Sequence, residues 1–154
     1  MDKNILDTNV IAQIGLVVND IEATSQAYAD FFGIENPGWF WSDIFDIEKT
    51  EYNGMPTEAR AKLSFFKLGS IQLELIQPDH HPSTWRESLD RNGEGFHHIA
   101  FHVNGMKEKI SILQRNQIPI QQKGENAGAD YAYAYMDTVP QLKLLIELLE
   151  QEKR

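Results

Sequence analysis

The sequence predicts an α+β fold in which two similar halves, each a strand, a helix and three further strands, curl around a shared cup. Three observations predict it. The chain repeats part of itself, one strand of the second half is rich in histidine, and the last strand of each half carries one acidic residue among apolar neighbours. Equivalent residues of a repeat occupy equivalent places, so polar residues from both halves are expected to meet.

The repeat appears when the sequence is shifted by 85 positions. Residues 14–34 then align with residues 99–119, with isoleucine at both starts and a Val-Asn pair four residues later. The residue before each copy is Gln13 in the first half and His98 in the second. The acidic residue with apolar neighbours on both sides is Glu74 in IQLELIQ and Glu147 in LLIELLE. Each half therefore offers two side chains with a ligating oxygen or nitrogen atom.

Length and composition narrow the class of protein. The 154 residues suit a single domain, and 42% hydrophobic residues without a bilayer-length apolar stretch predict a soluble globular protein that is not in a membrane. Fourteen basic and 23 acidic side chains give a net charge of −9, which argues against nucleic-acid binding. The chain has no cysteine, and its first residues do not resemble a signal peptide, so a cytoplasmic location is expected.

The first half, about residues 10–77, begins with a strand over residues 10–18 and a helix over residues 21–32, which Asn19-Asp20 caps and Gly33 ends. Residues 35–60 are irregular, and their aromatic run Trp39-Phe40-Trp41 either caps the core or grips an apolar part of a substrate. Strands are predicted over residues 61–67 and 70–77.

A connector, residues 78–92, leads to the second half, about residues 93–150. Ser83 is a plausible cap for a short connector helix, and His80-His81 is expected to be solvated. The GEGFHHIAFHV strand places His98 and His102 on one face, and His97 on the other face. A helix near residues 105–116 follows, and then strands over residues 131–135 and 142–150.

The repeat brings the four polar residues Gln13, Glu74, His98 and Glu147 to the floor of the cup. One imidazole with amide and carboxylate oxygens suits a divalent ion such as Zn, Co, Ni, Mn or Fe(II). Such an ion favours proton abstraction next to a carbonyl, with Glu147 as the first candidate for the base and Glu74 as the second. The alternative is that both glutamates are surface or edge residues. Candidate substrate contacts at the mouth are Trp39, Trp41, His102 and Tyr133, although His102 is equally compatible with a polar rim position.

The chain resembles the vicinal oxygen chelate superfamily, which includes glyoxalase I, methylmalonyl-CoA epimerase, extradiol dioxygenases and bleomycin resistance proteins. The resemblance covers about residues 10–150, and the segments that carry it are QIGLVVNDIEAT, FFKLGSIQLELIQP, PSTWRESLDRNGEGFHHIAFHV and LLIELLE. It implies paired βαβββ modules, a metal site formed by Gln13, Glu74, His98 and Glu147, and a homodimer. The third segment is most like methylmalonyl-CoA epimerases, which usually have histidine in place of Gln13 and often glutamine in place of Glu74.

Three functions follow as expectations. The first is a metal-dependent epimerase or isomerase acting on a small carbonyl or acyl-thioester substrate. The second is a lyase like glyoxalase I, acting on a hemithioacetal, since that enzyme's ligand set is glutamine, glutamate, histidine and glutamate. The third is a small-molecule binding protein on the same fold that performs no chemistry. An extradiol dioxygenase is a poorer match, because it needs two histidines on Fe(II).

Overall fold

Ten strands form one continuous mixed sheet. The structure is a computed structural model and describes residues 1–126, 128 and 130–151. The elements of the first half and connector are β1 Gln13–Val17, α1 Ile21–Phe32, β2 Phe40–Trp41, α2 Phe45–Glu48, β3 Glu51–Tyr52, β4 Met55–Pro56, β5 Ala61–Leu68, β6 Ile71–Pro78 and α3 Thr84–Asn92. Those of the second half are β7 Gly95–His102, α4 Met106–Arg115, β8 Ile120–Asn126, β9 Tyr131–Met136, α5 Val139–Leu142 and β10 Leu145–Gln151.

The strand order is β2-β5-β6-β1-β7-β10-β9-β8-β3-β4. In the first half β1 runs parallel to β6, and β6 is antiparallel to β5, which is antiparallel to β2. In the second half β7, β10, β9 and β8 repeat that arrangement. The first strands of the two halves, β1 and β7, pair antiparallel at the centre. The predicted α+β fold with two βαβββ modules is therefore confirmed.

Local signals place the first crossover helix, α1. Asp20 accepts a hydrogen bond from the backbone N–H of Ala23 at the start of α1, and Gly33 ends the helix in the left-handed conformation. Helices α1 and α4 bury apolar side chains against the outer face of the sheet. Helix α3 instead places Trp85 and Leu89 in a core cluster with side chains of the inner face, so it closes one end of the cup.

The strand predicted over residues 142–150 begins later, at Leu145. Residues 139–142 form a single helical turn instead, with Pro140 in its first turn. Proline suits that position because its fixed φ is helical and no intrahelical bond needs its missing N–H. Lys143, at φ 69°, then ends the turn.

Residues 42–50, here called the strap, connect opposite edges of the sheet. Strand β2 before the strap pairs with β5, whereas β3 after it pairs with β8, near the other edge. The strap must therefore cross the open side of the cup, and Asn126 on β8 donates a hydrogen bond of 2.8 Å to Asp43 within it. Among the described residues, none of the helices is both long and apolar enough to cross a membrane.

Candidate metal centre

The four residues predicted to form a metal site come together on the four central strands. Gln13 lies on β1, Glu74 on β6, His98 on β7 and Glu147 on β10. His98 Nε2 is 2.9 Å from Gln13 Oε1, 3.6 Å from Glu74 Oε1 and 3.7 Å from Glu147 Oε1. Three oxygen atoms from three different strands thus lie within 3.7 Å of one imidazole nitrogen atom.

The donor chemistry of the quartet fits a divalent cation. The amide nitrogen of Gln13 donates to Gln72 Oε1 at 2.7 Å, which leaves Gln13 Oε1 facing His98. Glu74 Oε1 is buried and has no hydrogen-bond partner, which is unfavourable unless a cation or proton satisfies it. Among the described residues, the side chains of His, Cys, Asp and Glu alone form no group of three that could hold a metal ion as it stands.

Burial sets the electrostatics of this site. The four residues are at most 7% exposed, and His98 is fully buried. Burial and the charge of Glu147 raise the pKa of Glu74 well above its usual value. Burial also raises the pKa of Glu147 to about 8, against a hydrogen bond from Tyr135 that lowers it. Burial lowers the pKa of His98, so the imidazole is neutral and does not compensate the carboxylates.

Gly15 makes room for His98, and sequence reasoning did not identify it. Its Cα pairs with that of His98 across β1 and β7, and a Cβ atom at Gly15 would overlap the imidazole ring. The signal for this role was present, because a glycine inside a strand often marks a close approach by another group.

Gly15→Ala is therefore expected to displace the His98 ring and to lower the free energy of unfolding by about 1–3 kcal/mol, the usual range for overpacking a core. The measurement is urea unfolding of the metal-free protein, with Ile14→Val as the control in the same strand. Ile14 contacts the outer core cluster rather than His98. A Gly15→Ala variant as stable as the wild type would show that a Cβ atom fits beside the His98 ring and would contradict this prediction.

A cavity of about 410 Å³ opens above the quartet. Two of the four predicted substrate contacts, Trp41 and His102, line it, and Tyr133 lines a smaller space of about 60 Å³ that shares Glu74 and Glu147 with it. His102 is exposed, at the rim. No lysine or arginine is among the described residues that line either space.

Trp39 was predicted to contact substrate, but it is not among the residues that line these spaces, and it packs edge-on against Trp41 with ring centroids 6.2 Å apart. Its indole N–H donates to Glu22 of α1 at 3.2 Å, and the ammonium group of Lys62 lies 4.4 Å from the centre of its ring. The hydrogen bond to Glu22 ties Trp39 to α1.

The strap contributes a third carboxyl group, that of Glu48, which sequence reasoning missed. Glu48 lines both spaces with Glu74 and Glu147, and its Oε2 atom is buried without a hydrogen-bond partner. Burial, together with the nearby charge of Asp43, raises the pKa of Glu48 from 4.5 to about 7. No local pattern could have revealed this, because Glu48 reaches the cup only through the pairing of β3 at the far edge of the sheet.

The shifted pKa of Glu48 predicts a pH-dependent stability. Because the folded state holds this proton more tightly, the stability contributed by Glu48 is full below pH 4.5 and is lost as the pH rises through 7. Glu48→Gln is therefore expected to stabilise the protein at pH 8 by about 1–2 kcal/mol, a figure reduced for partial exposure, and by less at pH 5. Urea unfolding at both pH values measures this, with the exposed Asp46 of the same helix changed to Asn as the control. The same effect from Asp46→Asn would refute the assignment.

The chain matches known proteins along most of its length. The sequence profile of the Glyoxalase/Bleomycin resistance protein/Dioxygenase superfamily matches residues 12–135. The uncharacterised protein YqjC of Bacillus subtilis (strain 168) is 31% identical over 120 residues, which are 77% of this chain and 85% of YqjC.

Solved structures with the same fold include the hypothetical protein BH1468 from Bacillus halodurans C-125, with a TM-score of 0.67, 20% identity and coverage of 96% of this chain and 97% of that one. Methylmalonyl-CoA epimerase from Mycobacterium tuberculosis has a TM-score of 0.61 and 19% identity over 93% of this chain and 88% of the epimerase. A variant of the Streptomyces coelicolor epimerase in complex with 2-nitronate-propionyl-CoA has a TM-score of 0.64 and 21% identity, over 93% of this chain and 97% of the epimerase. With its profile match and its relative in Bacillus subtilis, this chain belongs to the Glyoxalase/Bleomycin resistance protein/Dioxygenase superfamily.

Proposed function

We propose that this protein is a metal-dependent enzyme that moves a proton next to a carbonyl group, in the manner of methylmalonyl-CoA epimerase. The observation that carries the proposal is the buried quartet of Gln13, Glu74, His98 and Glu147, whose two carboxyl groups have no lysine or arginine beside them among the described residues. Zn, Co, Ni and Mn are the ions that suit this mixture of one nitrogen and three oxygen ligands. A bound ion would supply positive charge to stabilise the negative charge that develops on a substrate carbonyl oxygen.

Glu147 is the proposed acid or base for the proton transfer, and Glu74 is the second candidate. A catalytic carboxyl group works best when its pKa lies near the working pH, and burial raises the pKa of Glu147 to about 8. Tyr135 hydrogen bonds to Glu147 and so orients it. Glu147 therefore combines a suitable pKa with a fixed position beside the substrate cavity.

Glu48 supports an epimerisation in particular. Inverting a carbon centre requires one group to remove a proton from one face and another group to deliver a proton to the other face. Glu147 belongs to the floor of the cup, whereas Glu48 belongs to the strap that crosses its open side, and both line the same cavity. The pKa of Glu48, about 7, lets this carboxyl group either give or take a proton near neutral pH.

The substrate is proposed to be a small carbonyl or acyl-thioester compound. Solved methylmalonyl-CoA epimerases share the fold, and one of them holds an acyl-CoA compound. In this chain the lining combines the apolar side chains of Leu63 and Phe65 with carboxyl groups, and its described part offers no cation to a free anionic group. The uncharged carbonyl end of the substrate is therefore the part that this cavity suits.

A glyoxalase I-like isomerisation of a hemithioacetal is the second candidate. The observation that favours it is the ligand quartet itself, because Gln13 and Glu74 match the amide and carboxylate that glyoxalase I uses. Both reactions move a proton beside a carbonyl group, so the same floor could serve either. The substrate decides between them.

The test uses protein loaded separately with Zn, Co, Ni and Mn, supplied in D₂O with methylmalonyl-CoA and, in parallel, with the hemithioacetal of methylglyoxal and glutathione. Deuterium entering methylmalonyl-CoA, measured by mass spectrometry, is the expected result. Consumption of the hemithioacetal alone would favour the glyoxalase reaction. Ion-loaded protein that leaves both compounds unchanged would overturn both assignments in favour of a binding protein without turnover.

A further inference from the structure

The histidine next to His98 occupies an unexpected position because β7 contains a β-bulge. His98 pairs with Gly15 of β1, but the next pair joins Phe96 to Leu16, so His97 is an extra residue between them. Strand alternation predicted His97 on the apolar face, away from His98. The bulge instead places its imidazole beside that of His98, with ring centroids 5.1 Å apart, and His97 is only 4% exposed.

The hydrogen bonds of His97 form a chain with one direction. The Thr84 hydroxyl donates to Gln121 Oε1 at 2.7 Å, so its oxygen is left to accept from His97 Nε2–H at 3.1 Å. A neutral imidazole with its proton on Nε2 carries a lone pair on Nδ1. His97 Nδ1 therefore accepts from His98 Nδ1–H, 2.8 Å away.

This direction decides which nitrogen of His98 is protonated. With its proton on Nδ1, His98 presents a lone pair at Nε2, the atom that faces the carboxyl groups of Glu74 and Glu147. Gln13 Oε1, 2.9 Å from the same atom, is also an acceptor, so this tautomer places two lone pairs where a cation can bind both, whereas the opposite tautomer would donate a hydrogen bond to Gln13. A metal ligand must present a lone pair, so the chain from Thr84 through His97 sets the tautomer that binding a cation requires.

A second hydrogen-bond chain starts at Trp85, the residue after Thr84, and reaches Glu147. Trp85 Nε1–H donates to the Tyr135 hydroxyl at 3.0 Å. Indole is a donor only, so this hydroxyl keeps its own proton for Glu147, with which it is hydrogen bonded. Tyr135 is 1% exposed and its ring also contacts the rings of His97 and His98. The carboxyl group of Glu147 is thus oriented by a buried, packed partner.

Both chains start at the first turn of α3. Thr84 and Trp85 are its first two residues, they are 2% and 5% exposed, and Ser83 caps the helix by accepting a hydrogen bond from Arg86 N–H. Thr84 is also tied to the second half, because its backbone N–H donates to Gln122 Oε1 at 2.8 Å. A helix from the connector between the two halves therefore reaches one proposed ligand through His97 and another through Tyr135.

We propose that the first turn of α3 is a positioning device for the metal centre, in which Thr84 acts on His98 through His97, and Trp85 acts on Glu147 through Tyr135. None of these four residues is a proposed metal ligand. This positioning role rests on the proposed function, because the four residues prepare His98 and Glu147 to bind an ion. The chain through His97 is nonetheless a property of the metal-free protein and can be measured without a metal.

The test combines two measurements on the full chain. The first is ¹⁵N–¹H NMR of the histidine rings in the metal-free protein, where His98 is expected to carry its proton on Nδ1 and His97 on Nε2. The second is Zn²⁺ affinity by calorimetry. His97→Leu removes the acceptor for His98 and is expected to abolish the tautomer preference and weaken Zn²⁺ binding by about 10–100-fold, the usual effect of losing an outer hydrogen-bond partner. His97→Asn, similar in size but with an acceptor oxygen, is expected to restore most of both.

Two further variants separate positioning from packing. Trp85→Phe keeps the ring in the core and removes the donor to Tyr135, so it is expected to weaken Zn²⁺ binding without changing the His98 tautomer. Leu89→Val alters packing in the same helix and is expected to change stability alone. A proton on Nε2 of His98 in the metal-free wild type would overturn the proposal. Equal weakening by Leu89→Val and His97→Leu would also overturn it. A wild type with the expected tautomers but no affinity for Zn²⁺ would instead contradict the proposed metal function.

Discussion

His98→Ala is expected to weaken Zn²⁺ binding by more than about 100-fold, beyond the 10–100-fold loss typical of removing an outer hydrogen-bond partner of a ligand. His98 provides the one nitrogen of the quartet, and its Nε2 lies within 3.7 Å of an oxygen atom of each of the other three residues. Gln13→Ala is expected to cause a smaller loss, because an amide oxygen is neutral and binds a cation less strongly than a carboxylate.

Calorimetric titration of each metal-free variant with Zn²⁺ measures these losses. His102→Ala is the matched control, because it removes an imidazole from the same strand at the exposed rim. Its affinity for Zn²⁺ should remain close to that of the wild type. If His102→Ala and His98→Ala lose affinity equally, the ion does not bind at the floor of the cup.

Glu147→Gln is expected to slow deuterium exchange into methylmalonyl-CoA by about 10²–10⁴-fold at saturating metal, the contribution usual for a general acid or base. The amide keeps an oxygen atom that can face an ion but cannot accept the substrate proton. Saturation with metal is essential, because it separates the loss of proton transfer from the loss of a charged ligand.

Glu74→Gln is the matched comparison, since Glu74 is the equivalent carboxylate of the other half. Glu74→Gln should lose as much metal affinity as Glu147→Gln, but its rate of deuterium exchange should fall less. A larger loss of exchange in Glu74→Gln would assign the base to Glu74. Full exchange in both variants would mean that neither carboxyl group moves the proton.

Much of the fold and of the candidate site was predictable because the chain repeats itself. The repeat related Gln13 to His98 and Glu74 to Glu147, and pairing of β1 with β7 brings these equivalent positions together at the centre of the sheet. Strand periodicity then directs their side chains to the same concave face. The positions of these four side chains therefore depend on local sequence and on one symmetry between the halves.

Two features of the site depended on contacts that local patterns do not encode, and the role of a third, Gly15, became clear only from its partner. The bulge at His97 breaks the alternation of β7, so a residue assigned to the opposite face reaches the ring of His98. Glu48 enters the cup because the strap crosses to the far edge of the sheet, a pairing between residues 70 positions apart. Gly15 is important because of what it lacks, a Cβ atom, and this matters only once His98 is placed opposite it.

The metal content of the protein is the most direct test of the central claim. Protein stripped with a chelator and reloaded separately with Zn, Co, Ni or Mn would be analysed by mass spectrometry for bound metal per chain. About one ion per chain is predicted, as expected for a single four-ligand site, with loss of that ion in His98→Ala. Wild-type protein that retains none of the four ions after reloading would contradict the account.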